Sequence, residues 1–196
     1  MLVRALSVVF SVVVLTAISG CAAPRSAESS PAPTAVARDA VANPLAAPEL
    51  VQFGQFVGRW RCELLPRADG DVPGAATWVW SYAMDGFAVQ DLWLPENSAG
   101  AALSTGTALR IYDVENHEWR VVWTSVDKAE FAFFAARLDN DEMVMSGQTD
   151  NFDLKMVFHD ITETSFAWRY EARPETADAG WDVLARILCS RETTPR

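Results

Sequence analysis

The 196-residue sequence predicts an all-β protein, a ten-stranded antiparallel up-and-down barrel with a short N-terminal capping helix. From Arg59 onward, ten runs rich in β-branched and aromatic residues alternate apolar and polar positions, and short polar turns separate them. No long helical pattern interrupts these runs, which argues against a parallel sheet built from βαβ units. A flat meander of ten strands would expose two long edges, and closure into a barrel removes both.

The segment 106–123 is the clearest hairpin. Two β-rich runs flank a polar loop that contains Asp and Asn, which is typical of an antiparallel turn. In the second run, Trp119, Val121 and Trp123 fall on one face, and Arg120 falls on the other. One face of this hairpin is therefore predicted to be buried.

The other strands repeat this alternation. The predicted strands are residues 59–65, 76–82, 87–94, 107–112, 118–123, 131–138, 142–149, 154–158, 165–172 and 181–191. Before them, residues 48–57 predict the capping helix, with Leu50, Phe53 and Val57 on one face and Gly58 at its end.

The first residues predict export. Arg4 is followed by an uncharged apolar run and by Ile-Ser-Gly before Cys21, which is the pattern of a secretory signal peptide. Those residues also resemble the bacterial lipobox, whose cysteine is acylated. The alternative is an ordinary signal peptide with an incidental Cys21. Acyl chains on Cys21 would hold the protein at a membrane. In cells that have two membranes, an alanine after this cysteine, here Ala22, resembles the pattern of lipoproteins sent to the outer membrane.

Three segments follow from these patterns. Residues 1–20 are the predicted signal peptide. Residues 21–47 contain the lipidated cysteine and a tether rich in Ala, Ser and Pro, whose composition does not support a packed core. Residues 48–196 form the predicted barrel domain. We expect a protein of the cell envelope, anchored by its lipid, which in a cell with two membranes lies on the outer membrane and faces the periplasm.

The charge balance excludes one class of partner. The chain has 16 Lys and Arg residues against 26 Asp and Glu, a net charge of −10. Nucleic-acid binding through phosphates needs clustered basic residues, so we expect no nucleic-acid partner.

Three motifs carry a family resemblance. Gly58-Arg59-Trp60 resembles the Gly-x-Trp that opens lipocalin-like barrels. The segment 106–113 followed by Trp119, and the segment 160–169, resemble uncharacterised bacterial proteins grouped as a lipocalin-like domain of unknown function. The resemblance covers most of residues 53–191 and implies a calycin-type barrel without a settled chemistry. At Asp178-Ala-Gly-Trp the sequence departs from the family's Asp-Gly-Gly turn.

The apolar face supplies the candidate binding residues for a small, largely apolar ligand. Large aromatic residues most often fill a core, but Trp and Tyr also suit the edge of a pocket, where their polar atoms find partners. Small residues, Ala132 and Ala136, flank Phe134 on the same face. The ligand-binding candidates are Trp80, Trp123, Phe134, Met145, Met156, Trp168, Tyr170 and Arg110.

Two charged residues lie among apolar neighbours. Asp91 and Arg110 would orient a ligand if they pointed inward. An outward, solvated position is favoured for both, because the third and fourth strands can be read in either facing.

The sequence favours a binding module over two other classes. His117 and His159 have no partner at metal-ligand spacing and are expected at the surface, so neither a metal nor a cofactor is predicted. No nucleophile elbow or phosphate loop is present, which makes an enzyme the least favoured class. The main alternative is a structural or interaction protein of the cell envelope with a filled barrel and no ligand.

Two cysteines remain once Cys21 is assigned to lipid. Cys62 lies on the apolar face of the first strand and Cys189 on that of the last. These strands are neighbours in a closed meander, so a disulfide between them is predicted. Two buried free thiols are the alternative, because the register between the strands cannot be read from sequence.

Overall fold

The computed structural model describes residues 41–66, 74–96, 104–149, 151–175 and 180–193. Cys21, the predicted signal peptide and most of the predicted tether lie outside the described residues, as do Asp178 and Ala179 of the turn before Trp181.

The described residues form a closed antiparallel barrel, which confirms the predicted fold class. Each strand pairs with its neighbours in sequence, and the first pairs with the last. The predicted strands agree with the observed ones to within two residues at each end. The elements are α1 (Leu50–Gly54), β1 (Gly58–Leu64), β2 (Gly74–Ala83), β3 (Ala88–Pro95), β4 (Gly106–Asp113), β5 (Glu118–Ser125), β6 (Phe131–Asp139), β7 (Glu142–Gln148), β8 (Phe152–His159), β9 (Ser165–Pro174) and β10 (Asp182–Arg191).

The short helix closes one end of the barrel. Phe53 and Phe56 are fully buried in the lumen, where Phe53 packs edge-on against Trp119 at 4.9 Å. Val57 was predicted to share the apolar face of the helix with Leu50 and Phe53, and this was wrong, because Val57 is only half-buried. The helix ends at Gly54, and the following turn, in which the Phe56 amide donates to the Phe53 carbonyl at 3.1 Å, directs Phe56 into the barrel instead.

Hydrogen bonds from two indoles fix the helix on the barrel. The Trp60 indole donates to the Phe56 carbonyl at 2.7 Å, and the Trp119 indole donates to Gln52 Oε1 at 2.9 Å. These two indoles thereby satisfy their polar atoms, as buried indoles usually do.

The end of the predicted tether packs on the domain. The Asn43 amide donates to the Gly86 carbonyl at 3.0 Å, and its side chain donates to the Asp85 carbonyl at 3.0 Å. Gly86 has a φ of 81°, and a Cβ there would lie 2.5 Å from the Asn43 nitrogen, so this close approach requires glycine. Asn43, at the end of the predicted tether, therefore lies against the turn between β2 and β3.

A β-bulge in β10 interrupts the period-two alternation predicted for the last strand. The register against β9 shifts between Val183 and Ala185, so Val183 pairs with Glu171 on the outward face. Leu184 packs against the core in its place. Since a bulge adds a residue without altering composition, period-two alternation cannot reveal it.

A disulfide joins Cys62 of β1 to Cys189 of β10. The two residues are direct partners in the antiparallel register, with Cα atoms 4.1 Å apart, and both are buried. The bond closes the seam between the first and last strands.

Candidate functional site

The barrel lumen has two unlike halves. The half beneath α1, here called the sealed half, is filled with aromatic rings: Phe56, for example, contacts Trp80 and Phe166 at centroid distances of 5.1 and 5.0 Å. The opposite half, here called the mouth, has partly exposed apolar side chains on the inward face. They are Leu64, Trp123, Ala132, Met156, Tyr170, Leu184 and Ala185.

The structure places six of the eight predicted ligand-binding residues on the wall that leads to the mouth. Met145, Met156 and Tyr170 form one continuous row across β7, β8 and β9. Trp168 stacks on Tyr170 at 6.2 Å. Trp123, Phe134, Met145 and Trp168 complete this wall along β5, β6, β7 and β9. The other two, Trp80 and Arg110, are buried in or next to the sealed half.

Two inward-facing glycines hold aromatic rings against that wall. A Cβ on Gly147 would lie 2.7 Å from Cε1 of Phe134, and a Cβ on Gly106 would overlap the Trp123 ring. Each ring therefore rests on the backbone of a strand where a side chain is missing.

Asp91 and Arg110 face inward and form an ion pair, which corrects the preferred outward facing. Their side chains are 0% and 2% exposed, and Asp91 Oδ2 lies 2.6 Å from Arg110 Nη1. Asp91 Oδ1 accepts a hydrogen bond from the Ala108 amide at 3.2 Å. The prediction failed because the outward face beside these residues is also largely apolar, with Leu92 on β3 and Leu109 and Ile111 on β4, so hydropathy did not distinguish the two faces.

Burial opposes the charge on both partners. It raises the pKa of Asp91, against the lowering influence of Arg110, and it lowers the pKa of Arg110, against the raising influence of Asp91. The guanidinium also lies 4.3 Å from the Trp80 ring centroid and 4.9 Å from that of Phe53. Arg110 Nε has no hydrogen-bond partner in the described part of the chain.

Two depressions of about 390 Å³ lie on the outside of the barrel rather than in the lumen. The first, here called the outer groove, is lined by outward side chains of β4, β5 and β6: Leu109, Ile111, Arg120, Val122, Phe133 and Ala135. The second is polar, and its Trp181 ring carries Lys155 and Arg173 at 4.3 and 4.7 Å. Both cations pair with carboxylates, Lys155 with Glu171 and Arg173 with Asp153.

The histidines lie apart from the lumen. His117 is exposed in the β4–β5 turn, and His159 Nδ1 lies 2.8 Å from Asp160 Oδ2. Within the described ranges, no three His, Cys, Asp or Glu side chains are grouped to hold a metal ion. No helix among those residues is long and apolar enough to span a membrane.

Sequence reasoning missed several residues that shape the lumen. Phe56 fills the sealed half together with Trp78, which the alternation of β2 had placed on the apolar face although it was not among the candidate residues. Gly106 and Gly147 shape the wall of the mouth. A glycine within a strand signals a close approach, and this signal would have found both.

The fold has a counterpart among solved structures. A scan against protein-family models found no match, and a search of curated proteins found none either. Five chains of solved structures match, among them the S-type phycobiliprotein lyase CPES from Guillardia theta. It shares 9% identity with a TM-score of 0.53, over 74% of this chain and 93% of that chain. The barrel is lipocalin-like. The resemblance to a bacterial domain family stays a prediction from its motifs.

Proposed function

We propose that the protein binds a small, largely apolar molecule in the mouth half of its barrel. The observation that carries this proposal is the asymmetry of the lumen: one end is plugged by α1, and the other presents partly exposed apolar side chains inward. Ligand sites are typically concave and lined by apolar and aromatic side chains, as Trp123 and Tyr170 line this end of the lumen.

The fold and the wall chemistry support the same proposal. A lipocalin-like barrel is compatible with a small ligand. Met145 and Met156, paired across β7 and β8, give the wall flexible apolar side chains that adapt to different shapes. The ligand's polar end would face solvent, because Arg110 is already neutralised by Asp91 in the sealed half.

A blocking variant tests the site. Ala132 faces inward at the mouth as the partner of Trp123, so Ala132→Phe places a ring in the opening. Titration of a naphthalene sulfonate probe should show binding to the unmodified protein and at least about a tenfold loss of affinity in this variant. Tryptophan emission should respond to the probe, because Trp123 and Trp168 line the proposed site.

A matched variant on the same strand locates the binding. Ala135 faces outward into the outer groove, so Ala135→Phe adds the same ring on the other side of the wall. It should leave probe affinity unchanged. If Ala135→Phe abolishes binding and Ala132→Phe does not, the ligand occupies the outer groove and the lumen proposal is wrong.

A filled barrel without a ligand is the second candidate function. The packed rings of the sealed half favour it, since Trp60, Trp80 and Trp119 are each at most 2% exposed. Such a protein would act through its outer surface. Absence of any saturable probe binding, with the fold intact by circular dichroism, would favour this candidate.

We also propose that Cys21 carries the membrane anchor. The lipobox-like residues before it support this proposal. Cells fed a labelled fatty acid should transfer the label to the wild-type chain and not to Cys21→Ser. Label retained in the variant would assign acylation to another residue and contradict the predicted lipoprotein.

A further inference from the structure

The polar depression of about 390 Å³ lies on the outer wall near the mouth, where β7 ends and β8 begins. Its lining includes Ser146, Gln148, Asp153, Arg173 and Trp181. Asp153 and Arg173 are direct partners on the outward face of β8 and β9, so this depression, here called the rim site, is separate from the lumen. Its volume is that of a site for a small molecule.

The Trp181 indole forms the aromatic wall of the rim site. It directly precedes β10, and its ring carries Lys155 Nζ at 4.3 Å and Arg173 Cζ at 4.7 Å from the centroid. Glu171 in turn holds Lys155 at 2.6 Å. These contacts fix the ring before a ligand arrives, which lowers the cost of ordering it on binding. Because Trp181 is only half-buried and lines the depression, part of the indole stays accessible.

Three planar polar side chains form a hydrogen-bonded row beside the ring. Asp153 Oδ1 accepts from Gln148 Nε2 at 2.9 Å, and Asp153 Oδ2 accepts from Arg173 Nε at 2.8 Å. The row therefore runs from donor through acceptor to donor. A carboxylate accepts about four hydrogen bonds and a guanidinium donates about five, so the row keeps capacity for a ligand. Gln148 is exposed, and the Arg173 side chain is 44% exposed.

The charges of the rim site favour an uncharged ligand. Both cations that contact the indole are paired with carboxylates, so an anion would find neither of them free of a counter-charge. The neighbouring Glu175 and Asp182 are exposed and acidic, which further opposes an anion. A cation would have to displace the guanidinium that lies over the Trp181 ring.

A sugar meets these conditions. Each hydroxyl both donates and accepts, so neighbouring hydroxyls can pair with a row in which donor and acceptor alternate. The C–H face of a sugar ring packs on an indole, whose body is apolar. An extended peptide fits less well, because it binds by adding to a free sheet edge and the described strands form a closed barrel.

We propose that the rim site binds a short neutral saccharide, which stacks on Trp181 and hydrogen-bonds to Gln148, Asp153 and Arg173. The site is independent of the ligand proposed for the lumen.

Calorimetric titration of the full chain carrying Cys21→Ser with maltotriose, cellotriose and triacetylchitotriose tests the proposal. At least one of them should bind with a Kd of about 1 mM or tighter. Trp181→Ala should weaken that binding by about tenfold or more. Phe133→Ala is the matched control, because it removes an aromatic ring that is 72% exposed on another part of the outer wall, and it should leave the affinity unchanged.

A second variant keeps the test independent of the indole's contribution to folding. Gln148→Ala truncates an exposed side chain at the end of β7 and should weaken the same saccharide by about threefold or more. The proposal is overturned if none of the three saccharides binds at about 10 mM, or if Trp181→Ala and Gln148→Ala both bind as the unmodified chain does.

Competition separates the rim site from the lumen. The saccharide should not displace the naphthalene sulfonate probe, so either site can fail without the other. Displacement of the probe would assign the saccharide to the lumen and overturn the proposal. Inorganic phosphate that binds and is lost in Trp181→Ala, with the saccharides inactive, would make the rim site an anion site and equally overturn it.

Discussion

Replacement of Arg110 by methionine should be strongly destabilising. The change keeps an unbranched chain against the Trp80 and Phe53 rings, but it leaves the Asp91 carboxylate buried and 0% exposed without its counter-charge. Breaking a buried pair by removing one partner typically costs about 3–5 kcal/mol. A domain of this size has roughly 5–15 kcal/mol of stability, so the variant should still fold.

The double variant separates charge from packing. Asp91→Leu with Arg110→Met replaces the pair by apolar groups, and such replacements are often neutral or stabilising by about 1–4 kcal/mol. The free energy of unfolding from urea titration at neutral pH should therefore be near the wild-type value, with an unchanged slope. Two results would show that Asp91 and Arg110 do not interact as an ion pair. The first is a double variant that loses as much unfolding free energy as the two single variants together. The second is a loss of less than about 1 kcal/mol in Arg110→Met alone.

The pH dependence has a defined sign. Burial already raises the pKa of Asp91, and loss of Arg110 removes the main influence that lowers it. In Arg110→Met, the pKa of the Asp91 carboxyl in the folded state is therefore raised above its value in the unfolded state. The contribution of this group to stability is fully present below the unfolded pKa and is lost as the pH rises through the folded pKa. The stability deficit of Arg110→Met should shrink in acid, and that of Asp91→Asn with Arg110→Met should not.

Two further changes test the barrel wall and its seam. Gly147→Ala should lower the free energy of unfolding by about 1–3 kcal/mol and reduce probe affinity, because the new Cβ displaces the Phe134 ring into the lumen. Gly74→Ala is the control and should be close to neutral, because the atom nearest to its Cβ would lie 3.8 Å away. Equal urea midpoints for the two variants would refute this reasoning. Removal of the disulfide by Cys62→Ala with Cys189→Ala opens a loop of 127 residues and should cost up to about 5 kcal/mol, and a wild-type midpoint that reductant leaves unchanged would contradict it.

The strands could be predicted because one physical rule governs them. In β5 and β9, apolar residues alternate with polar ones, since one face meets the lumen and the other meets water. Turn residues then fix where each run stops. The position of Cys62 opposite Cys189 needed in addition the closure of the barrel, which follows from the strand count and the cost of open edges.

The rule failed where the outside of the barrel is also apolar. On β3 and β4, Leu92, Leu109 and Ile111 lie outward, so the inward positions of Asp91 and Arg110 could not be read from hydropathy. The apolar outer surface of β3 and β4 is therefore the reason that the inward ion pair could not be predicted. The capping helix was predicted, but the inward position of Phe56 was missed and Val57 was misplaced, because a five-residue helix is too short for its periodicity to place either residue.

The seam between β1 and β10 has a consequence for the order of folding. Of the seams between described strands, nine join neighbours in sequence and can zip up locally as hairpins, in any order. The tenth joins residues 127 positions apart and needs the last strand. A chain that emerges N-terminus first therefore remains an open, curling meander until its final ten-residue strand is delivered. The disulfide between Cys62 and Cys189 can therefore form in its native position only after β10 has been synthesised and has paired with β1.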